Sequence, residues 1–414
     1  VEKTAIVIGG SMGGLFAANL LLRAGWDVRI FERSDTPLSS RGAGIVTHEG
    51  LRRVLALAGV AANDPLGILI TERRAFDRSG KLLAQLSLPQ ILTSWSRLLG
   101  LLLAAFPRDR YHLNHAVDRV EPGDVQHLAR VHLGNGQTQE AHLVVAAEGL
   151  RSATRHLLFP EQSSVYAGYI AWRAVADQSQ LSSSAQGFLA DAFCFAQDPG
   201  EQILTYPIAA PDSVDSIQIN LVWYRKTSES QLESMLTDRF GQRFEGGIPP
   251  DRIDPRHLQA AIAQAADHFH PCWSEVLSTR IGPLILQPIF DLESSEMVRG
   301  RLALVGDAAF VARPHIGQGV TKAAGDALAL TECLADIRDG AAPEVVQALD
   351  TFSKLRVPVG VSAVAQARRM GTPIAMTRND SRQDHEDALI HYYSDPKHLL
   401  RETAVEIKGV AHVR

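Results

Sequence analysis

The stretch Thr4-Ala5-Ile6-Val7-Ile8-Gly9-Gly10-Ser11-Met12-Gly13-Gly14, with the apolar-periodic Leu15 to Ala24 and then Asp27 to Glu32 behind it, decides the fold. A short apolar run ending in glycine reads as a buried strand, the glycine cluster as a tight turn, and Leu15 to Ala24 as a helix. Asp27 to Glu32 is the second strand, which closes a βαβ unit. In such a unit the first glycine, Gly9, allows the turn, and the last, Gly14, lets helix and strand pack closely. The backbone around Ser11, Met12 and Gly13 then offers a helix N-terminus to a pyrophosphate. Ser11 stands where G-x-G-x-x-G has its middle glycine, and its small side chain can itself donate to phosphate. Glu32, about 20 residues on, ends the second strand, where a carboxylate accepts both hydroxyls of an adenosine ribose; Arg33 follows it. The pattern specifies a dinucleotide without saying which one.

Outward from that unit, the length of 414 residues is enough for more than one core, so two intimately joined domains are expected. The 41 basic and 46 acidic residues give a net charge of -5 without a basic block, which points away from nucleic acid and toward a small, near-neutral partner. Cys194, Cys272 and Cys333 are far apart, odd in number and without a CxxC spacing, so no metal site or disulfide is expected and a reducing cytoplasm fits. No apolar run reaches membrane-spanning length, and the apolar strand from Ala5 leaves no room for a leader, so no membrane partner is expected.

Strand character with alternation returns from Arg74 to Leu88, helical character from Trp95 to Phe106, and short strands from Tyr111 to Ala147 around a hairpin turn at Gly134-Asn135-Gly136. Four β-rich runs, Tyr169 to Val175, Phe188 to Ala196, Gln202 to Ile208 and Ser216 to Tyr224, predict a second, antiparallel sheet. Leu232 to Leu277 reads as helical around a Gly-Gly-Ile-Pro-Pro loop, Leu302 to Val305 as a buried strand, Thr321 to Ala335 as a helix, and the polar tail from Met376 as carrying a helix near His385 to Tyr393. The fold class expected is α/β, α+β overall: a discontinuous Rossmann-like domain with an inserted, mainly antiparallel sheet and a C-terminal helical region. The divisions fall at 1–73, 95–165 and 285–345 for the nucleotide domain, 74–94 and 166–284 for the substrate domain, and 346–414 for the helical region and tail.

Leu304-Val305-Gly306-Asp307-Ala308-Ala309 sets a carboxylate at the end of a buried strand, and Arg313-Pro314-His315-Ile316-Gly317-Gln318-Gly319 leads into a helix. Asp307 supplies an acceptor for sugar-chain hydroxyls, and Gly317 to Val320 supply bare backbone NH groups that stabilise negative charge on a reduced flavin ring. This segment and the N-terminal turn resemble the single-component FAD-dependent aromatic hydroxylases, the family of para-hydroxybenzoate and salicylate hydroxylases. Leu143 to Arg155 is similar to the family's ADG-x-x-S-x-x-R stretch, with Glu148 in place of Asp, and Arg41-Gly42-Ala43-Gly44-Ile45 and Arg97 match flavin-contacting positions. The resemblance runs from about residue 4 to about residue 370. Within the family, Tyr166-Ala167-Gly168-Tyr169, Ala171-Trp172-Arg173 and Arg313-Pro314-His315 most resemble a hydroxypyridine hydroxylase that also has serine at the middle-glycine position.

The resemblance implies FAD as cofactor, NADH or NADPH as a transient reductant, O2 as co-substrate, and transfer of oxygen from a flavin C4a-hydroperoxide to an electron-rich ring. The implied partners are therefore a small aromatic substrate, O2 and NAD(P)H; apart from the resemblance, a homodimer is one assembly to expect. No second Rossmann turn is left for the nicotinamide. His48 and His315 are candidates for ionising a ring hydroxyl, and Tyr206 and Tyr224 are candidates for the ligand wall; each could equally be a core or hydrogen-bonded loop residue. The cofactor-binding set is Gly9, Ser11, Met12, Gly13, Gly14, Glu32, Arg33, Arg41, Gly42, Gly44, Arg97, Glu148, Gly306, Asp307, Pro314, Gly317, Gly319 and Val320. Phe310 occupies a place where many relatives carry His.

Two alternatives remain open at this level. One is a different flavoenzyme on the same scaffold, an epoxidase, oxidative decarboxylase or isoprenoid reductase, the last needing a long apolar channel. The other is a non-catalytic nucleotide-fold binding protein of the Rab-escort type, which has no reason to keep Asp307, Pro314 and Gly317-Gln318-Gly319.

Overall fold

The computed structural model describes residues 3–36, 38, 44–61, 64–189, 191–198, 200–338, 342–375, 396–402 and 409. The chain opens with strand β1 (Thr4–Ile8), helix α1 (Met12–Arg23) and β2 (Asp27–Phe31). It leaves for β3 (Gly44–Thr47), α2 (Glu49–Leu57) and the hairpin β4 (Ile68–Phe76) and β5 (Leu82–Ser94), then returns through α3 (Trp95–Ala104) to β6 (Tyr111–His112). A ribbon of β7 (Val117–Glu121), β8 (Ala129–Leu133) and β9 (Thr138–Ala141) precedes β10 (Leu143–Ala146) and α4 (Ala153–Leu158). A second excursion holds β11 (Val165–Asp177), α5 (Ser183–Leu189), β12 (Ala192–Asp198), β13 (Glu201–Ala209), β14 (Ile217–Lys226), α6 (Glu229–Met235), α7 (Pro255–His268), α8 (Pro271–Ser278) and β15 (Ile285–Asp291). The last passage contains β16 (Val298–Arg299), β17 (Leu302–Leu304), α9 (Gly319–Cys333), the long α10 (Ala342–Ala375) and α11 (Pro396–Glu402).

The first sheet has the order β16-β17-β10-β1-β2-β6 and is parallel except at the β16–β17 edge. Its central strands are buried on both faces, which is why β1 and β10 read as continuous apolar runs. Glycine is obligatory at Gly14, where a Cβ would lie 1.9 Å from the Gly9 carbonyl oxygen, and at Gly9, whose φ is +98°. The turn and the α1–strand packing are thus fixed together.

The second sheet has the order β15-β11-β14-β13-β12-β4-β5-β3. Side chains alternate across it with period two. Ile170, Trp172, Leu221 and Trp223 point into a core completed by α5, α7 and α8, and Trp273 of α8 donates its indole NH to Thr205 Oγ1 at 3.3 Å. Each fully buried tryptophan contributes roughly 1.5–3 kcal/mol or more of apolar transfer. Tyr169, Phe193, Phe195, Leu204, Tyr206, Val222 and Tyr224 point the other way and build a second core facing the cleft.

Several expectations change in detail. The strand expected from Phe188 begins at Ala192, because Ala185 and Leu189 bury at helical spacing and Asp191, with φ of 56°, turns the chain into the strand. The run expected from Arg74 to Leu88 is a hairpin of two longer strands turned at Asp77, whose carboxylate caps Ser79 and Lys81. The second sheet is not wholly antiparallel, since β12 pairs β4 in parallel. It also takes in β3 and the start of β4, which the sequence reading placed with the nucleotide domain. The helical stretch between Leu232 and Leu277 is, as expected, broken around the Gly246-Gly247-Ile248-Pro249-Pro250 segment, between α6 and α7. The helix expected near His385 to Tyr393 lies outside the described residues.

Candidate functional site

At the carboxyl ends of β1, β2 and β10, a cavity of about 190 Å³ is walled by Gly9, Ser11, Glu32, Arg33, Trp95, Glu148 and Arg151, among others. Ser11 is the N-cap of α1, and its side chain makes no capping bond, which leaves the helix start open to a ligand. Glu32 is buried, with one oxygen accepting from Gly10 N at 2.8 Å and the other from Ser34 N at 2.9 Å. Each oxygen keeps a lone pair for a sugar hydroxyl. Tyr111, not anticipated from the sequence, donates its hydroxyl to the Gly10 carbonyl at 2.9 Å and crowds out any Cβ at Gly10.

Glu148 accepts from Ser152 Oγ at 2.6 Å, Ser152 Oγ accepts from Arg155 N at 3.0 Å, and the buried Arg155 donates to the Ala308 carbonyl at 3.0 Å. The Glu148 to Arg155 motif is therefore a brace between the nucleotide wall and the Asp307 turn.

A neighbouring cavity, about 300 Å³, is lined by Leu150, Asp307, Pro314 to Gly317, Gly319 and Val320 on one side and by the second sheet, including Gly44 to Val46 of β3, on the other. Asp307 is exposed although Gly306 and Ala308 beside it are buried. It opens into the cavity rather than onto the outer surface. Loss of solvation there raises its pKa, against the pull of Lys322 and with the push of Asp326. The turn that presents it is clamped from behind: Asp326 accepts from Gly306 N at 3.0 Å and from Arg356 Nε at 2.8 Å, and Lys322 Nζ donates to the Gly306 carbonyl at 2.9 Å. These three charged side chains are almost fully buried and were not anticipated from the sequence. Gly317, with φ of 61°, reverses the chain into α9, and a Cβ at Gly319 would meet nothing within 4 Å, so the helix start is bare toward the cavity.

A pyrophosphate-accepting helix start, a ribose-accepting carboxylate, an accessible Asp307 deep in the molecule and a second bare helix start line two cavities that meet the same segment, Leu150 facing one and Glu148 and Arg151 the other. These residues fit a flavin dinucleotide.

Across from Asp307 stands the wall of the second sheet. Tyr224 lies with its ring centroid 4.4 Å from that of His315, and Tyr206 packs its ring 4.4 Å from Phe193. A Cβ at Gly44 would fall 2.3 Å from the Tyr206 ring, which is why β3 needs glycine there. His315 Nε2 is 2.7 Å from the Tyr169 hydroxyl. Burial, with the neighbouring Arg313 charge, pushes the His315 pKa down to about 3, so the imidazole is neutral near pH 7. Burial pushes Tyr224 up to about 12 and Tyr206 upward as well, with Arg173 partly offsetting both. Both hydroxyls keep their protons and act as donors.

Of the four proposed ring-contacting residues, His315, Tyr206 and Tyr224 meet at the cavity. His48 does not line it; it is buried at the N-terminus of α2. Arg97 is not at the cavity either, because its guanidinium is engaged by the Pro65 carbonyl at 2.6 and 2.9 Å and the Pro211 carbonyl at 3.4 Å. Met12 is buried in the core at the start of α1, and Gly13 packs toward Ala323 of α9. Arg41 and Gly42 lie outside the described residues. Arg73, Arg173 and Gln202 line the cavity and were missed as site residues. The signal was available for Gln202, which shares a strand face with Tyr206 at period two.

Two family models match the chain: one described as FAD binding domain-like over residues 166–291 and one described as FAD binding domain over residues 290–367. The 2,6-dihydroxypyridine 3-monooxygenase of Paenarthrobacter nicotinovorans is 30% identical over 328 residues, covering 79% of this chain and 81% of the relative. The solved structure of 2,6-dihydroxypyridine-3-hydroxylase from Arthrobacter nicotinovorans superposes with a TM-score of 0.83 at 25% identity, covering 92% of this chain and 96% of that one. HpxO of Klebsiella pneumoniae, solved with FAD and uric acid, shares the fold with a TM-score of 0.76 at 21% identity, covering 97% and 96% of the two chains.

Proposed function

The chain belongs to the single-component FAD-dependent aromatic-ring monooxygenases, and from that premise we propose that it hydroxylates a small hydroxylated, pyridine-like ring. The observation that carries this reading is the size and lining of the ring cavity. At about 300 Å³, with Tyr206 and Tyr224 of the second sheet facing the loop that carries Asp307 and His315, it is a compact pocket and not the long apolar channel an isoprenoid chain needs. The relative that acts on 2,6-dihydroxypyridine supports a nitrogen heterocycle.

Bound FAD supplies the redox chemistry that consumes NAD(P)H and O2 and delivers one oxygen atom to the ring. The residues of this chain do the rest. Ser11 and the α1 start would take the pyrophosphate, Glu32 the ribose, Asp307 the sugar-chain hydroxyls, and the α9 start at Gly319 the electron-rich edge of the ring system. Phe193, Phe195, Leu204, Val222 and Ile289 exclude water from the ring end. Tyr206 and Tyr224 orient the substrate by donating hydrogen bonds to its oxygen atoms. His315, held neutral against Tyr169, serves as a hydrogen-bond relay for a ring hydroxyl proton rather than as a strong base. The division of labour is that the first sheet holds the cofactor and the second the ring.

Among the described residues no helix is long and apolar enough to cross a membrane. All three cysteines are free thiols, which supports a reducing, cytoplasmic setting. We propose a homodimer as the assembly, which sedimentation of the holoenzyme tests.

The test is stimulated NAD(P)H oxidation by the FAD-loaded protein across hydroxypyridines, hydroxybenzoates and salicylate, with product analysis to separate hydroxylation from peroxide release. Hydroxypyridines are expected to stimulate most and to gain one oxygen atom. Stimulation by a non-aromatic compound with none from any ring would sink the reading.

A further inference from the structure

The turn that presents Asp307 is held by more than α9. Arg356 of α10, 2% exposed, donates from Nε to Asp326 at 2.8 Å and from Nη1 to the Gly409 carbonyl at 2.7 Å. The other oxygen of Asp326 accepts from Gly306 N at 3.0 Å. One line of charge-assisted hydrogen bonds therefore runs from Gly409 through Arg356 and Asp326 to the residue beside Asp307. Gly409 has a φ of 79°, in the left-handed region that a β-branched residue disfavours, so the direction of its carbonyl depends on glycine.

The segment that carries Gly409 is anchored at its other end as well. Helix α11 contacts β4 and β5 and buries Leu399 and Leu400 in the core that faces the cleft, where they join Ile374 from the end of α10. A helix this short has little stability of its own, so the burial of these leucines is what holds it in place. The C-terminal segment thus meets the substrate wall at one point and the clamp behind the cofactor turn at another. Within that clamp, Lys322 and Asp326 both belong to α9 and tie the turn to that helix. Arg356 ties it to α10 and, through Gly409, to the C-terminal segment. A guanidinium suits this task because its planar fork fixes two donors relative to each other, so the carbonyl at one tine orients the bond made by the other. Neither Arg356 nor Gly409 lines the nucleotide cavity or the ring cavity.

We propose that Arg356 is a positioning residue of the cofactor site and that the Gly409 carbonyl sets its orientation, so that the C-terminal segment completes the FAD site from outside the cavities. Arg356 acts through Asp326 and the Gly306 amide on Asp307, the acceptor for the sugar-chain hydroxyls. The inference concerns how firmly and in what orientation FAD is held. It goes beyond the ring-hydroxylase reading and does not depend on which ring is the substrate.

The experiment compares wild type, Gly409→Val, Gly409→Asn, Arg356→Lys and the double variant Arg356→Lys/Gly409→Val. Three quantities are read: FAD affinity by equilibrium dialysis, visible circular dichroism of the bound flavin, and the thermal melt of the apoprotein. Gly409→Val is expected to weaken FAD by about threefold to tenfold and to alter the dichroism of what remains bound. Gly409→Asn, a residue that tolerates the left-handed region, is expected to stay within about twofold of wild type. Arg356→Lys keeps a charge beside Asp326 but lacks the fork, and should weaken FAD by about tenfold. On that background Gly409→Val should add less than about twofold, because the two changes break the same line of bonds. Wild-type affinity and dichroism in both Gly409→Val and Arg356→Lys would overturn the proposal. So would a Gly409→Val loss of equal size with and without Arg356, or equal weakening by Asn and Val. A lower melt of the Gly409→Val apoprotein with unchanged affinity and dichroism assigns the contact to stability alone, which also overturns it. If Arg356→Lys yields no folded protein, the Val and Asn pair at Gly409 decides.

Discussion

The two ends of the cleft solve the problem of ligand binding in opposite ways. At the nucleotide end the key carboxylates are already hydrogen-bonded to the protein: Glu32 to Gly10 N and Ser34 N, Glu148 to Ser152, and Asp326 to Gly306 N and Arg356. At the ring end Arg173 Nε and Gln202 Nε2 have no partner. A cofactor that never changes can be met by a rigid, self-satisfied frame. A substrate that enters and leaves is met by donors whose acceptor arrives with it.

The largest expected effect comes from breaking the nucleotide frame. Asp326→Ala leaves Lys322 and Arg356 buried without their shared carboxylate, and chemical denaturation of the apoprotein should report a loss of about 3–5 kcal/mol. A loss below about 1 kcal/mol would mean that this end is no better braced than the ring wall. His315→Gln probes the wall. With a folded pKa of about 3 against about 6.5 unfolded, His315 takes up its proton only in the unfolded chain as pH falls from about 6.5 toward 3, so it withdraws stability in that window. The substitution should flatten the acid limb by up to a few kcal/mol near pH 3.5, read from thermal melts across pH. An unchanged acid limb would mean that the imidazole is not held neutral.

Asp307→Asn should weaken FAD by about tenfold in equilibrium dialysis, having lost a charged acceptor. Its apoprotein carries the opposite sign. Because the folded carboxyl has a raised pKa, its ionised form costs stability that appears as pH rises past about 3.9. The Asn variant should therefore melt higher than wild type at neutral pH, with the difference vanishing near pH 3. Equal melting temperatures throughout would place Asp307 in ordinary solvent. The smallest effect is expected from His48→Ala, which should change ring affinity by less than about threefold, under ~0.7 kcal/mol, because His48 does not line the cavity. A tenfold change would return it to the ring site.

These differences also mark what could be read in the sequence. The nucleotide end is coded locally: Gly9, Gly14 and Glu32 lie within one βαβ unit, and Asp307 and Gly317 within one loop, so spacing alone locates them. The ring end is assembled across strands, with Gly44, Arg73, Arg173, Gln202 and Tyr224 brought together only by register. Tyr206 and Tyr224 were legible as aromatics on strands, but no spacing could tell His315 at the cavity from His48 behind it. For Arg97 a family position says nothing about which carbonyls, here those of Pro65 and Pro211, hold the side chain. The clamp by Lys322, Asp326 and Arg356 was hidden for another reason. Buried charges in a helix look like a solvated face until the partner helix is known.

The parallel pairing of β10 with β17 has a consequence for how the molecule is made. On the ribosome, β1, α1, β2 and β10 emerge long before Leu302 to Leu304, and α9, which packs on α1, is later still. For most of synthesis β10 presents an unpaired edge, and the Asp307 turn does not yet exist. The second sheet, by contrast, is complete once β15 has emerged. The order of manufacture is thus the reverse of the order in which the ligands act, with the substrate wall formed first and the cofactor cradle closed last. The Asp307 turn and the α9 start can therefore meet the cofactor only once the chain is nearly whole.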